Sequence, residues 1–206
     1  MDPQIQIKTI KSWLGTGSIN IFGPPFAGKD THGRQLAKQL GAHLLGGGEI
    51  IRSRPVPAHI KSLHTGGRLI PSETYFELVL PYLKQAKFSG KPLVLSSVGR
   101  WQGEETAVLE AAASAGHPIK AAIYLTVEEP IIWDRWEHSD SRLNRGYRED
   151  DSREALQVRL KEFQTKTLPV IDAYRNRGLL IEIDSNRPKE TVSRDILDAL
   201  LRFSKI

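Results

Sequence analysis

The stretch GPPFAGKDT, Gly23 to Thr31, constrains the fold of this chain more than any other feature. It follows the apolar-rich run Ser18–Phe22, which predicts a buried strand, and it leads into a helical pattern over 29–41. Glycines at such a junction let backbone N–H groups point at an anion, and the helix dipole also favours negative charge there. The pattern G-x-x-x-x-G-K, which ends here at Lys29, is typical of loops that bind the phosphates of a nucleoside triphosphate.

The rest of the chain alternates between apolar runs and helical patterns. The further predicted strands are Ala42–Leu45, Pro92–Ser96, Ile119–Thr126 and Leu179–Ile183. The predicted helices are 4–15, 29–41, Ser72–Lys87, Gly103–Ala115, Glu128–Glu137, Asp150–Arg175 and Pro188–Phe203. Nearly continuous apolar runs are typical of parallel strands that are covered on both faces. We therefore predict an α/β fold with about five parallel strands flanked by helices.

Composition narrows the class of protein. A chain of 206 residues with 39% hydrophobic and 26% charged residues is long enough to bury the core of one domain. The absence of cysteine excludes disulfides and cysteine-based zinc sites. No apolar run approaches the roughly 18 residues of a membrane span, and the N-terminus does not resemble a signal peptide. We therefore expect a cytoplasmic protein, a monomer, with no membrane partner.

The net charge of +5 comes largely from arginines scattered at separate sites and interleaved with acidic residues. Proteins that bind nucleic acid typically carry their basic residues in one block. Scattered arginines instead suit a small phosphorylated ligand, around which several of them converge. A solvated surface is the ordinary alternative for most of these arginines. We expect no nucleic-acid partner.

Six motifs, in chain order, resemble those of adenylate kinases and related nucleoside monophosphate kinases. GPPFAGKDT resembles the family's G-x-P-G-x-G-K-G-T, in which the threonine also comes two residues after the lysine. GGGEIIRSR resembles S-T-G-D-x-x-R, GRLIP resembles G-x-L-V-P/T, and SSVGRW stands where the family has D-G-F-P-R-T. RGYREDDSREALQVRLKEF resembles R-x-D-D-x(7)-R, and IDSNRPKETV resembles the family's V-D-G-x-K/x-P loop. The resemblance runs from about residue 18 to the C-terminus.

The resemblance implies an architecture and a reaction. It implies a P-loop NTPase core over 17–206, with a helical insertion near 47–88 that binds a nucleoside monophosphate and a short lid near 136–149. Residues 1–16 form an N-terminal helical extension outside it. The implied reaction is phosphoryl transfer from Mg²⁺·ATP to a nucleoside monophosphate, with AMP as the leading acceptor. Without cysteine, the lid is expected to carry no zinc cluster.

The same resemblance assigns roles to individual residues. Those that offset charge on the transferring group are Lys29, Arg135, Arg148 and Arg159. Those that bind ATP are Pro25, Phe26, Ala27, Gly28, Lys29, Asp30, Thr31, Arg135 and Arg187. Those that bind the acceptor are Gly47, Arg52, Leu69, Ile70, Arg100 and Glu104. Phosphoryl transfer depends on positioning and charge neutralisation, and the planar guanidinium forms two hydrogen bonds to a phosphate.

One departure from the family pattern concerns the metal. The family's third-strand aspartate, which holds Mg²⁺ through water, is Ser96 here, while Asp30 stands where a glycine is usual. A carboxylate about 4 Å from a triphosphate is repelled by several kcal/mol at an effective dielectric near 20 unless a cation lies between them. We hypothesise that Asp30 binds Mg²⁺, directly or through water. The alternative is that Asp30 turns away and caps or pairs with a neighbouring helix residue.

Other departures concern the acceptor base. The family's threonine near this base is Gly47, a glycine is Ser97, and the glutamine that recognises adenine is Glu104, with Gln102 nearby. A carboxylate can accept from the amine of adenine or cytosine, or bidentately from guanine, but it cannot also donate. CMP, GMP and deoxynucleotides therefore stay open beside AMP. The alternative is that Glu104 is an exposed acid at a helix N-terminus.

Two rival functions also stay open. The first is a kinase for another small molecule, which Arg52 and Arg100 disfavour because two arginines suit an acceptor that already carries a phosphate. The second is a degenerate nucleotide-binding regulator, which the departures at Phe26, Ser96 and Ser139 would motivate. The retained lysine and arginines disfavour it.

Overall fold

The computed structural model describes residues 3–139 and 152–205. Five strands form one sheet: β1 (Ser18–Phe22), β2 (His43–Gly46), β3 (Leu93–Ser96), β4 (Ile119–Thr126) and β5 (Leu180–Asp184). Their order across the sheet is β2-β3-β1-β4-β5, and every neighbouring pair is parallel. The predicted α/β fold with five parallel strands is confirmed.

Helices cover both faces of this sheet. Those before β3 are α1 (Pro3–Leu14), α2 (Lys29–Leu40), α3 (Gly47–Arg52), α4 (Ala58–Thr65) and α5 (Ser72–Val79). Those after β3 are α6 (Glu104–Ser114), α7 (Glu129–Glu137), α8 (Arg153–Glu162), α9 (Leu168–Asn176) and α10 (Lys189–Phe203). Ile19 and Ile21 of β1 pack into one core cluster and Phe22 packs into the other, because successive side chains of a strand point to opposite faces. Burial on both faces explains the continuous apolar runs.

Two predicted helices are interrupted in the structure. The predicted helix Ser72–Lys87 stops being α-helical at Val79 and continues as 3₁₀ turns over Leu80–Lys84 and Ala86–Phe88. Pro81 accounts for the change, because its ring removes a backbone donor. The predicted helix Asp150–Arg175 begins at α8, where Ser152 Oγ accepts from the Ala155 N–H (3.1 Å). A π-helical turn, Phe163–Thr167, then separates α8 from α9. Residues 140–151 lie outside the described residues.

The N-terminal helix α1 is part of the packed core. Its Ile10 and Leu14 are fully buried with residues of α2 and α10. Gln6 Nε2 donates a hydrogen bond of 2.8 Å to Asp198 Oδ1 on α10. No helix among residues 3–139 and 152–205 is long and apolar enough to span a membrane.

Candidate active site

A cleft of about 1420 Å³ lies along the carboxyl ends of the strands and the loops that follow them. Ligands of open parallel sheets bind at this edge. The predicted site residues that line the cleft are Pro25, Phe26, Ala27, Gly28, Lys29, Asp30, Thr31, Arg52, Leu69, Ile70, Arg100, Glu104, Arg135, Arg159 and Arg187. Gly47 is absent from this lining among the described residues, and Arg148 lies outside them. One cleft thus brings both predicted substrate sides together.

The phosphate loop turns between β1 and α2 with its backbone amides at the helix N-terminus. Gly28 has a left-handed backbone (φ 91°), and Lys29 Nζ lies back over the loop, donating to the carbonyls of Gly23 and Pro24 (2.7 Å each). Phe26 is also left-handed (φ 61°), a conformation that costs a bulky residue about 1–3 kcal/mol. Its ring packs on the cluster around Ile132 of α7, which offsets this strain.

Arg135 of α7 connects two loops at the side of the cleft that is predicted to bind ATP. Its Nη1 donates to the Phe26 carbonyl (3.2 Å) and its Nη2 to the Ser185 carbonyl (2.6 Å). Desolvation lowers the pKa of Arg135 from its usual value. Arg187, in the loop after β5, pairs with the carboxylates of Asp184 (3.2 Å) and Asp195 (2.7 Å). Both guanidiniums are therefore held by the protein at the edge of the cleft.

The side of the cleft that is predicted to bind the acceptor carries positive charge. Desolvation, and then the charge of Arg159, lower the pKa of Arg100 to about 10, so Arg100 stays charged at neutral pH. Arg159 lies on α8, and the turn at Gly67 packs directly on this helix. A Cβ at Gly67 (φ 79°) would lie 2.5 Å from the Ala155 carbonyl oxygen and 2.9 Å from Arg159 Cγ. Repelling guanidiniums in one cleft favour a bound anion.

The same turn is tied to the π-helical segment. Glu162 Oε2 accepts from the Leu69 N–H (3.0 Å) and pairs with Lys166 Nζ (2.7 Å). Thr167, which is buried, donates through Oγ1 to the Arg100 carbonyl (3.1 Å). The widened turn thus connects the two loops on the acceptor side, a connection that the sequence did not indicate.

Asp30 faces the end of β3. Ser96 Oγ donates a hydrogen bond of 3.1 Å to Asp30 Oδ1, and both residues line the cleft. Among the described residues there is no cluster of three or more histidine, aspartate or glutamate side chains that could hold a metal. Mg²⁺ beside nucleotide phosphates needs only one or two carboxylates, with the phosphates and water completing its shell. The hard oxygens of Asp30 and Ser96 therefore fit such an ion.

Glu104 is 3% exposed, so the alternative that it is an exposed acid is wrong. Its Oε2 accepts from the backbone N–H groups of Arg100 (2.7 Å) and Trp101 (3.0 Å), and its Oε1 accepts from Ser72 Oγ (2.6 Å). The carboxylate thereby fixes the loop that carries Arg100. Gln102 is exposed and does not line the cleft.

Comparison with known proteins assigns the chain to a family. The Adenylate kinase family model matches residues 21–179. The chain belongs to the adenylate kinase family. It is 31% identical over 192 residues to an adenylate kinase of Methylobacterium nodulans, covering 89% of this chain and 96% of that protein. It is 29% identical over 181 residues to one from a Cyanothece species (85% and 91%), and 26% identical over 211 residues to one from Kluyveromyces lactis (87% and 92%).

In this adenylate kinase-like nucleoside monophosphate kinase, the cleft is also lined by Tyr75, which the sequence motifs did not predict. A Cβ at Gly47 would lie 2.6 Å from Tyr75 Oη, so the tyrosine hydroxyl takes the space of a side chain at position 47. Tyr75 is 5% exposed and lines the cleft, and its Oη accepts from the Gly99 N–H (3.0 Å). The glycine at position 47 could have indicated such a neighbour, because a small residue in place of the family's threonine leaves volume that another side chain must fill.

Proposed function

We propose that this kinase transfers the γ-phosphoryl group of Mg²⁺·ATP to AMP and forms two molecules of ADP. The acceptor assignment rests on the hydrogen bonding of Glu104. Its Oε2 already accepts two backbone N–H groups, and its Oε1 accepts one hydroxyl, which leaves one acceptor position on Oε1. Bidentate pairing with guanine needs a free position on both oxygens. One bond from an exocyclic amine needs only one position.

That count favours adenine or cytosine over guanine. The relatives reported above are named adenylate kinases, which favours adenine over cytosine. CMP is therefore the second candidate. A non-nucleotide acceptor and a regulatory role remain the alternatives of other classes, and the converging arginines of the acceptor side argue against both.

In the proposed reaction the chain positions two nucleotides and neutralises charge. The phosphate loop with Lys29 would bind the ATP phosphates, and Arg52 and Arg100 would hold the phosphate of AMP. Arg135 and Arg159 would offset charge on the transferring group, together with Arg148, which lies outside the described residues. Mg²⁺, when bound, supplies further charge neutralisation between the phosphates. Asp30, oriented by Ser96, is the residue we propose to hold it.

The same proposal gives roles to larger segments. Residues 47–88 would be the acceptor-binding insertion, and residues 136–149 the lid, most of which lies outside the described residues. The N-terminal helix would be a structural layer, because its apolar face packs on α2 and α10. A monomeric, cytoplasmic enzyme without zinc remains a prediction.

A panel of acceptors tests the proposed function. Purified protein is incubated with Mg²⁺·ATP and each of AMP, CMP, UMP, GMP, dAMP and dTMP, and the nucleotides are separated by chromatography. ADP formed with AMP well above the ATP-only blank supports the proposal. Lys29→Met should abolish this gain, whereas Lys38→Met, at an exposed position of the same helix, should leave it unchanged. A larger gain with another acceptor would replace AMP, and no gain with any of them would favour the regulatory alternative.

A further inference from the structure

Tyr75 carries an unused donor in the acceptor half of the cleft. Its Oη accepts from the Gly99 N–H, and its own O–H has no hydrogen-bond acceptor among residues 3–139 and 152–205. The side chain is more than nine-tenths buried and lines the cleft. Burial raises the pKa of the hydroxyl well above its usual range, so the proton stays on the oxygen. A buried donor without a partner costs free energy unless a ligand supplies the acceptor.

The hydroxyl of Tyr75 and the carboxylate of Glu104 belong to one polar group. They accept from the consecutive amides of Gly99 and Arg100, in the loop after β3. Ser72, which donates to Glu104 Oε1, and Tyr75 lie three residues apart on α5, so they share one face of that helix. Both side chains also line the cleft, so the remaining acceptor position of Glu104 and the donor of Tyr75 belong to one wall of it.

We propose that Tyr75 determines which acceptor base is used, an inference that rests on the proposed function. Its O–H donates to the ring nitrogen beside the amine-bearing carbon, which is N1 of adenine or N3 of cytosine. Glu104 Oε1 accepts from the exocyclic amine itself. Together the two side chains provide the donor and the acceptor that a glutamine would provide alone.

This pairing predicts which bases are rejected. Guanine, hypoxanthine and uracil carry a carbonyl oxygen where adenine or cytosine carries the amine, and an N–H where those bases carry the bare ring nitrogen. The carbonyl would oppose the carboxylate, and the N–H would oppose the tyrosine O–H. A site built to hydrogen-bond a substrate group rejects analogues that leave its polar groups unpaired.

Base analogues separate recognition from a structural role. We compare kcat/KM for AMP, for 1-deaza-AMP, which has C–H in place of N1, and for IMP, which has the reversed donor–acceptor pattern. The wild type should prefer AMP over 1-deaza-AMP by about fivefold, the effect of one hydrogen bond. Tyr75→Phe should remove this preference and reduce the AMP over IMP ratio by about tenfold. A structural role would lower activity with all three acceptors by the same factor.

Tyr82→Phe is the matched control, because Tyr82 is half-buried and does not line the cleft. It should keep both ratios at the wild-type value. If Tyr75→Phe does not fold, the wild type's own preference for AMP over 1-deaza-AMP decides. Equal kcat/KM values for AMP and 1-deaza-AMP overturn this inference and leave the proposed function standing. No transfer to any nucleoside monophosphate overturns the proposed function itself.

Discussion

Gly47→Ala should destabilise the protein because the added methyl group would overlap the hydroxyl of Tyr75. The new Cβ would lie 2.6 Å from Tyr75 Oη and 3.2 Å from the Ser97 carbonyl oxygen, whereas ordinary contacts begin near 3.4 Å. The backbone at this first residue of α3 suits alanine, so the effect does not come from backbone strain. Moving the buried ring aside would also leave the Gly99 N–H without its acceptor.

Overpacking costs about 1–3 kcal/mol, and a buried N–H without a partner costs about 1–3 kcal/mol. The two effects overlap, so we expect the free energy of unfolding to fall by about 3 kcal/mol. For a chain of this length the melting temperature should fall by about 6–12 °C. Urea unfolding and thermal melting, both followed by circular dichroism, measure the two quantities.

A double-mutant cycle identifies the cause. In a Tyr75→Phe background the 2.6 Å contact disappears and the milder contact with the Ser97 carbonyl oxygen remains, so Gly47→Ala should cost under about 1 kcal/mol. Gly48→Ala is the control, since its Cβ would meet the side-chain tip of Arg52 at 3.3 Å and His64 Nε2 at an ordinary 3.7 Å. It should change stability by no more than about 0.5 kcal/mol. Equal losses from Gly47→Ala with and without the hydroxyl would refute the packing argument.

Three further predictions concern the metal, acid stability and the N-terminal helix. Asp30→Gly should reduce by about tenfold the gain in ATP affinity that Mg²⁺ provides, measured by calorimetry. Adding Ser96→Asp to this variant should restore the gain. An unchanged gain in the single variant would exclude the metal role. Burial, and then the positive charges of Lys189 and Arg135, lower the pKa of His32 to about 4, whereas the unfolded chain has the ordinary 6.5. The unfolded chain therefore binds the proton first, and stability is lost as pH falls from 6.5 to 4, by up to about 3 kcal/mol. His32→Gln should lose less over this window in urea titrations, and an identical loss would contradict the assignment. Deletion of residues 1–15 should lower the melting temperature and leave the preferred acceptor unchanged; a changed acceptor would show that α1 does more than pack.

The sheet could be predicted because its signal is local. Each strand is short and rich in apolar residues, although β5 alternates them with acidic ones, and the glycines of the phosphate loop stand directly between β1 and α2. The limits of helices were harder to predict, since the predicted helix Ser72–Lys87 ran through Pro81, where α5 gives way to 3₁₀ turns. The π-helical turn at Phe163–Thr167 depends on contacts with two distant loops, such as the bond from Thr167 to the Arg100 carbonyl.

Single residues that line the cleft could be predicted from the sequence where a motif fixes them. Pairs of contacting residues from separate parts of the chain could not be predicted. The phosphate loop and the arginines follow from local patterns, but the bond between Ser96 and Asp30 joins positions that only the fold brings together. The fold also brings Gly47 and Tyr75 together, and the tyrosine hydroxyl occupies the space that a side chain at position 47 would take. The departures at Asp30 and Gly47 each have a partner that only the tertiary structure brings close, which is Ser96 for Asp30 and Tyr75 for Gly47.

Transfer of the phosphoryl group from ATP to a nucleoside monophosphate can be followed with an isotope. The most direct measurement follows ³²P from the γ-position of ATP in the presence of Mg²⁺ and either AMP or adenosine. We expect label in the β-phosphate of ADP when AMP is present, none in any product with adenosine, and none with Lys29→Met. Label that appears only as inorganic phosphate, or on adenosine, would contradict this expectation.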